Sequence, residues 1–279
     1  MLVAGLLFAC MGVFVKLGGA HFSSSELVFY RAFFGLLVVM AVLRHRRTSL
    51  ATPHWRGHLW RGLSGTVAMM LFFYCIANLP LATAITLNYT SSLFLTALTL
   101  VIFKERFHLP LTASLTLGFV GVVLLLHPTL ERDQLVGGLM GLTSGFLAGV
   151  ALLNVRQLGL KGEPADRVVF YFNVVATLFS AIWMARGEIH RPTPPELALL
   201  LAIGASGTFA QLAMTRAYRV GQTQVMSSLS YSTIAFASLF GLLLWRETLP
   251  LEGWIGIALI IASGVLSLRL APIHTKAGK

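Results

Sequence analysis

Polar side chains that could hydrogen-bond a small solute are concentrated in two short stretches of an otherwise apolar chain. The first stretch holds an amide, a tyrosine and three hydroxyls (Asn88, Tyr89, Thr90, Ser91 and Ser92). The second is formed by hydroxyl-bearing residues (Ser227, Ser228, Ser230, Tyr231, Ser232 and Thr233). Uncharged groups of this kind suit a cavity for a small polar or zwitterionic solute, because buried polar groups need partners. Hydroxyls also join helices to one another in membranes, and that alternative remains open.

Other polar residues inside apolar stretches are candidates for further walls of such a cavity: Tyr74, Asn154 and Gln211. Lys16 lies near the end of the first apolar stretch, where its ammonium either reaches lipid headgroups or meets a substrate carboxylate. Arg31 follows Glu26 by five residues, and we expect it to anchor there instead of binding substrate. The predicted substrate-binding residues are therefore Asn88, Tyr89, Ser230, Tyr231, Tyr74, Asn154, Gln211 and Lys16.

Two G-x-S-G strings, at residues 62–65 and 204–207, raise a catalytic alternative, since they are similar to the nucleophile motif of intramembrane serine hydrolases. A serine nucleophile needs a base within hydrogen-bonding reach. The histidines fall between the apolar stretches or at their ends, where they are unsuited to pairing with a buried serine. The sequence therefore predicts no catalytic residue. It also contains no H-E-x-x-H, C-x-x-C or P-loop motif, so we expect neither a metal site nor a cofactor.

The composition indicates that membrane-spanning helices carry these residues. Of 279 residues, 56% are hydrophobic and 11% are charged, whereas soluble domains have about 25% charged residues. A crossing needs about 20 mainly apolar residues, and ten such helices are predicted: 1–19, 26–43, 60–78, 84–103, 110–127, 136–155, 167–185, 197–215, 224–245 and 251–270. All ten prolines fall between these segments or at their ends, so proline-broken helices are not expected. The expected fold class is an all-α membrane protein, and we expect a monomer.

The basic residues predict an orientation in the membrane. From a cytoplasmic N-terminus, fifteen lysines and arginines fall on the cytoplasmic side, including Arg61 at the end of the loop 44–61. Four fall on the opposite side, and Lys16 and Arg31 lie within spans. Short loops rich in basic residues stay in the cytoplasm, so both termini are expected there. The net charge of +11 comes from these short clusters and not from one basic face, so no nucleic-acid partner is expected.

The chain contains an internal repeat at an offset of 142 residues. Residues 62–68 (GLSGTVA) pair with residues 204–210 (GASGTFA), and the same offset pairs Tyr89 with Tyr231. Eleven of the 48 positions from 62 to 109 match their partners without a gap. The predicted division is a first five-helix repeat (1–128), a linker (129–135), a second five-helix repeat (136–272) and a cytoplasmic tail (273–279). Five spans reverse the chain direction, so the repeats are predicted to be inverted, which is typical of alternating access.

Two further patterns bear on the mechanism. Glycines at 137, 141, 145 and 149 form one stripe of a helix, either for close packing or as a smooth face along which a neighbour slides. No acidic residue falls in the middle of a span, and Glu105 and Glu247 are expected to cap or pair at span ends. A facilitated carrier or exchanger without a membrane carboxylate is therefore the simplest mechanism.

The order of these segments and their short motifs resemble the drug/metabolite transporter superfamily, specifically its EamA-type branch. The likeness is carried by residues 103–106 (FKER) with 118–121 (GFVG), by residues 245–247 (WRE) with 262–265 (ASGV), and by residues 28–31 (VFYR). The resemblance implies an exporter of amino acids or similar small polar metabolites in the bacterial cytoplasmic (inner) membrane, with the substrate cavity between the halves. Nucleobases, quaternary amines and sugars remain alternative substrates.

Overall fold

The computed structural model describes residues 1–103, 109–126, 135–186, 190–246 and 250–270. Over these residues the protein forms twelve helices: α1 (Leu2–Gly18), α2 (Ser24–Arg46), α3 (Trp55–Asn78), α4 (Leu81–Tyr89), α5 (Ser91–Phe103), α6 (Leu109–Leu126), α7 (Leu135–Leu160), α8 (Ala165–Met184), α9 (Pro194–Val220), α10 (Thr223–Ser230), α11 (Ser232–Trp245) and α12 (Leu251–Leu270). Each predicted segment coincides with one or two of these helices. Glu105, Glu247, most of the predicted linker and the tail lie outside the described residues.

Six described helical stretches are long and apolar enough to cross a membrane, namely α2, α3, α7, α8, α9 and the stretch Thr223–Trp245. Shorter apolar helices lie at Leu2–Gly18, Thr112–Gly121 and Leu251–Leu266. The outward faces of these helices carry many exposed apolar side chains, such as Leu139 at 65% and Leu243 at 66% exposure. Exposed apolar surface of this extent is typical of a protein whose outer solvent is lipid.

Two apolar stretches are each divided near their middle by one residue. Thr90 separates α4 from α5, and Tyr231 separates α10 from α11. The Thr90 hydroxyl donates to the carbonyl of Leu87 at 2.7 Å, and the Ser230 hydroxyl donates to the carbonyl of Ser227 at 2.6 Å. Hydroxyls that bond to nearby carbonyls compete with the helical ladder and bend helices. These breaks therefore arise without proline, and the distribution of prolines does not reveal them.

The helices of the two halves interlock instead of forming separate bundles. α3 packs against α7, α1 against α9, α2 against α8 and α6 against α12. The main core contains side chains from both halves, among them Val15, Phe73, Phe172 and Ile234. The halves therefore share one interior, and any site at its centre is built by both.

The glycine stripe of α7 receives the broken stretch α4–α5. A Cβ atom on Gly141 would lie 2.8 Å from Leu87 Cδ1, and one on Gly145 would lie 2.7 Å from the Leu87 carbonyl. A Cβ on Gly149 would lie 3.0 Å from Phe94 Cβ. Only glycine allows this approach, so the stripe serves close packing; sliding along it stays a prediction.

Glu163 ties the loop after α2 to the junction between α7 and α8. Its carboxylate accepts hydrogen bonds from the Thr52 hydroxyl and from Arg167 Nη1 at 2.9 Å, and it lies 3.1 Å from His54 Nδ1. Burial alone would raise the pKa of Glu163, but these hydrogen bonds outweigh it and lower the pKa to about 2. The carboxylate is therefore charged at any physiological pH.

Two glutamates, Glu26 and Glu196, bind the loop between α8 and α9 at the N-terminal ends of α2 and α9. Glu26 caps α2 with Ser23, and Glu196 caps α9 with Thr193. The backbone N–H of His190 donates to Glu26 at 2.7 Å, while its ring Nε2 lies 3.1 Å from Glu196. Both carboxylates are thus hydrogen-bonded by residues of this loop.

Candidate functional site

A cavity of about 130 Å³ lies between the two halves. Its wall is formed by residues of ten helices, including both members of each broken stretch. A water molecule needs about 10–15 Å³ of such volume, so the cavity is large enough for several waters or a small solute. A void lined by both halves of the chain is the natural candidate for a binding site.

The two predicted polar stretches meet at this cavity. Tyr89 Oη donates to Thr233 Oγ1 at 2.9 Å, and the hydroxyls of Ser92 and Ser230 lie 3.0 Å apart. All four residues also line the cavity. The hydroxyls therefore join α4–α5 to α10–α11, and the residues that carry them also form part of the cavity wall, so the two alternatives considered for them are compatible.

Asn88 is held in the cavity wall by a short chain of hydrogen bonds. Its Nδ2 donates to Ser144 Oγ at 2.7 Å, and that hydroxyl donates to the carbonyl of Ala68 at 2.8 Å. The chain leaves the amide oxygen of Asn88 without a described partner and orients the side chain from behind. An amide fixed in this way can accept a hydrogen bond from a solute.

Two arginines are buried at the cavity, and both contact the same aromatic ring. Arg31 is 2% exposed and Arg61 is 3% exposed, and both line the void. The guanidinium carbons lie 5.2 Å and 4.1 Å from the centre of the Phe172 ring. The Nη atoms of Arg31 reach Asn173 Oδ1, the Gly207 carbonyl and Gln211 Oε1 at 3.5 Å each. The Nε atoms of both arginines and Nη1 of Arg61 have no hydrogen-bond partner.

Both arginines differ from the sequence-based expectations. Arg31 does not anchor to Glu26; residues five apart do not share a helix face, and Glu26 is bonded to Ser23 and His190. Arg61 does not lie in the cytoplasmic loop, because α3 begins at Trp55 and already buries Arg61 within its first two turns. The signals that could have found them are the repeat-related glycines. A Cβ on Gly65 would overlap Arg61 Nη1, and one on Gly207 would lie 3.0 Å from Arg31 Nε.

The structure places half of the eight predicted binding residues on the cavity wall: Asn88, Tyr89, Ser230 and Gln211. The other four do not line it. Tyr231 is fully buried, Tyr74 is 38% exposed, the Asn154 amide donates to the Val150 carbonyl of its own helix, and Lys16 lies 5.0 Å from the Trp245 ring. Binding by the first four stays a prediction. Phe172 and Tyr218 are wall residues that the sequence did not single out. A phenylalanine in an apolar run carries no distinguishing signal, and Tyr218 lies after the predicted segment 197–215, between two arginines.

The serines of the two G-x-S-G strings are not arranged for catalysis. Ser64 Oγ donates to the Trp60 carbonyl and Ser206 Oγ to the Ala202 carbonyl, each at 2.6 Å within its own helix. None of the described histidines hydrogen-bonds to either hydroxyl. Without a base, a serine hydroxyl is a weak nucleophile, and the hydrolase alternative has no support.

Comparison with known proteins identifies relatives over nearly the whole chain. The model of the EamA-like transporter family matches residues 1–127 and 135–269. An uncharacterized transporter of Helicobacter pylori (strain J99) is 31% identical over 274 residues, covering 95% of this chain and 92% of the relative. The pseudopaline exporter CntI of Pseudomonas aeruginosa (strain PAO1) is 30% identical over 264 residues, covering 95% and 90%. A crystal structure that is 18% identical superposes with a TM-score of 0.77 over 96% of this chain and 98% of that chain, which shows a shared fold.

Proposed function

Because this chain belongs to the EamA-like transporter family, we propose that it exports amino acids or similar small polar metabolites by alternating access. It is a multi-pass membrane protein, as its apolar helices indicate. The observation that carries the proposal is the cavity at the centre, where the polar residues of two broken stretches, one from each half, come together. Interrupted helices that meet between two repeats are a common way to build a transport site.

Several contacts support ten spans in two inverted repeats, with α4–α5 and α10–α11 each counted as one crossing. The family model matches in two stretches that correspond to the predicted repeats. Arg31 and Asn173, which hydrogen-bond to each other, differ by the repeat offset of 142. Such a contact between equivalent positions is what a twofold axis between the halves would produce.

The contact between α6 and α12 supports the same axis. Ser114 and Ser263 each donate a hydroxyl to the carbonyl of the other, at 2.8 Å and 2.7 Å. At an offset of 142 their equivalents are Gly256 and Gly121, and a Cβ on Gly121 would lie 2.6 Å from the Gly256 carbonyl. One contact therefore corresponds to the other by exchange of the two halves.

The proposed location is the bacterial cytoplasmic membrane, with both termini in the cytoplasm. The relatives compared above are bacterial. Burial of Arg61 removes one residue from the basic count, and fourteen against four still favours the same orientation. Among the described residues the acidic side chains lie near helix ends or in loops, so we propose a carrier or exchanger that needs no proton gradient.

The proposal is tested by counterflow in proteoliposomes loaded with an unlabelled amino-acid mixture, with labelled amino acids added outside. We expect saturable uptake by the wild-type protein. Ala148→Trp should abolish it by filling the cavity, whereas Leu139→Trp, on the lipid-facing side of the same helix, should not. Full uptake by the Ala148→Trp variant would show that solutes do not pass through this cavity.

A further inference from the structure

We infer that the cavity recognises its solute through a carboxylate group, held between the guanidinium groups of Arg31 and Arg61. The inference rests on the proposed function, because it names the chemical class of the transported molecule. A small organic acid is the substrate class that follows. Three observations carry the inference: unneutralised charge, unfilled hydrogen-bond donors and the character of the remaining wall.

The first observation is that two positive charges are buried together and that no acidic side chain of the described residues pairs with either. None of the ion pairs formed within the described ranges includes Arg31 or Arg61. The described acidic residues are engaged elsewhere or lie at helix ends, as shown for Glu26, Glu163 and Glu196. Burial of a charge without a partner is expensive. The Phe172 ring offsets part of that penalty through cation–π contacts, but an anion between the arginines would neutralise the charge.

The second observation is that several N–H donors of the two arginines lack hydrogen-bond partners. An arginine presents five N–H groups in a planar fork that matches the two oxygens of a carboxylate. The bonds that Arg31 makes are all 3.5 Å long, whereas strong N–H···O bonds are about 2.7–3.2 Å. Nε and Nη1 of Arg61 have no partner although both atoms are buried. Both forks thus have hydrogen-bonding capacity that is unfilled, and a carboxylate brought beside them would fill it.

The third observation concerns the rest of the wall. No acidic residue of the described chain lines the cavity, so a cationic group of a solute would meet only uncharged acceptors there. Asn88, Tyr89 and Ser230 offer uncharged hydrogen-bonding groups, while Phe8, Met69 and Phe72 offer apolar surface. Such a wall fits an organic acid with a hydroxyl, amide or apolar body. It fits quaternary amines poorly, and sugars would leave both arginines unneutralised.

The test uses purified full-length protein in detergent and measures its melting temperature against increasing succinate, at ionic strength held constant with sodium chloride. Succinamide is the neutral analogue, and inorganic phosphate is the alternative anion. We expect a saturable rise with succinate and none with succinamide. Arg61→Gln should require about tenfold more succinate or more, since it loses a charge-assisted bidentate contact. Arg56→Gln, an exposed residue of the same helix, should respond as the wild type does.

Each other outcome contradicts the inference. Equal shifts with succinate and succinamide would exclude recognition of the carboxylate, and this comparison needs no variant. A larger shift with phosphate would assign the site to phosphorylated solutes instead. If the arginines served only to hold helices together, Arg61→Gln would lower the melting temperature without ligand and leave the succinate response unchanged.

Counterflow separates this inference from the proposed function. Binding of succinate without flux of any solute would leave the anion site standing and would contradict transport. Flux of uncharged solutes that is unaffected by Arg61→Gln would leave transport standing and would contradict the anion site. For both proposals to hold, Arg61→Gln must lose flux of carboxylates while Leu139→Trp retains it.

Discussion

Two amides in the protein have the same chemistry and opposite surroundings. Asn88 Nδ2 bonds to Ser144 and its side chain faces the cavity, whereas Asn154 Nδ2 bonds to a carbonyl of its own helix and does not face it. Asn88→Ala should weaken the apparent affinity for a transported solute by about tenfold, because one buried hydrogen bond contributes about 1–3 kcal/mol when its partner is left unpaired.

Asn154→Ala is the matched control and should leave affinity unchanged. Both variants are measured by solute-dependent thermal shift and by the melting temperature without solute. If Asn88→Ala lowers the melting temperature without solute and leaves the solute-dependent shift unchanged, the polar residues of α4 serve helix packing and not binding.

At this scale the sequence singled out several neutral residues of the wall, together with three neutral residues that do not line it, and it missed the charged part. A hydroxyl or amide in an apolar run is visible by its polarity, so Asn88 and Ser230 could be chosen directly. Arg61 stands next to a cluster of loop arginines in the sequence, and its burial depends on Phe172, which is more than a hundred residues away. Long-range contacts of this kind cannot be obtained from spacing along one helix.

Helix α7 can approach α4 only because its stripe lacks side chains. Gly145→Ala would place a methyl group against Thr90 Oγ1 and 2.7 Å from the Leu87 carbonyl. We expect it to lower the melting temperature strongly, with a cost of about 1–3 kcal/mol for overpacking. Gly264→Ala in α12 would meet only Leu229 Cδ2 at 3.6 Å, so it should be tolerated or stabilising by up to about 1 kcal/mol. Equal behaviour of the two variants would contradict the close packing.

The loop between α2 and α3 is held by a carboxylate whose pKa of about 2 lies below its ordinary value of 4.5. A lowered pKa contributes stability above the ordinary value, and that contribution is lost as the pH falls from about 4.5 towards 2. Glu163→Gln should therefore lower stability by about 1–3 kcal/mol at pH 7, and the difference should shrink at pH 4 and below. Thermal unfolding from pH 8 to pH 3 measures this.

Glu252→Gln, at an exposed position of α12, is the control and should behave like the wild type throughout. A Glu163→Gln variant as stable as the wild type at pH 7 would mean that the loop is held by other contacts.

Helix positions were the most predictable elements, since length and apolar content alone define them. The two breaks were not predicted, because a hydroxyl that bends a helix has the same sequence signature as one that faces a cavity. Thr90 and Ser230 each donate a hydroxyl hydrogen bond to a carbonyl of their own helix at a break, and Ser230 also lines the cavity.

For the molecule as a whole, the prediction concerns its orientation in the membrane, with the loop between α2 and α3 and both termini in the cytoplasm. With Cys10 and Cys75 replaced, a single cysteine in the loop 47–54 should resist a membrane-impermeant thiol reagent in intact cells and react after the membrane is opened. A reporter after Lys279 that is active only in the cytoplasm should be active. Labelling of the loop from outside would reverse the predicted topology and, with it, the direction proposed for export.

The pairing of α6 with α12 has a consequence for assembly. Ser114 contacts Ser263, and Gly121 lies against Gly256, so in the proposed inverted repeat one surface patch would bind an equivalent copy of itself. Such an isologous contact closes on itself, unlike a head-to-tail contact, which can add subunits indefinitely. Under that proposal, the second half of the chain already supplies the equivalent copy. The interface through which a five-helix half would dimerise would thus be formed within a single polypeptide, and this patch would not be free to bind a second chain.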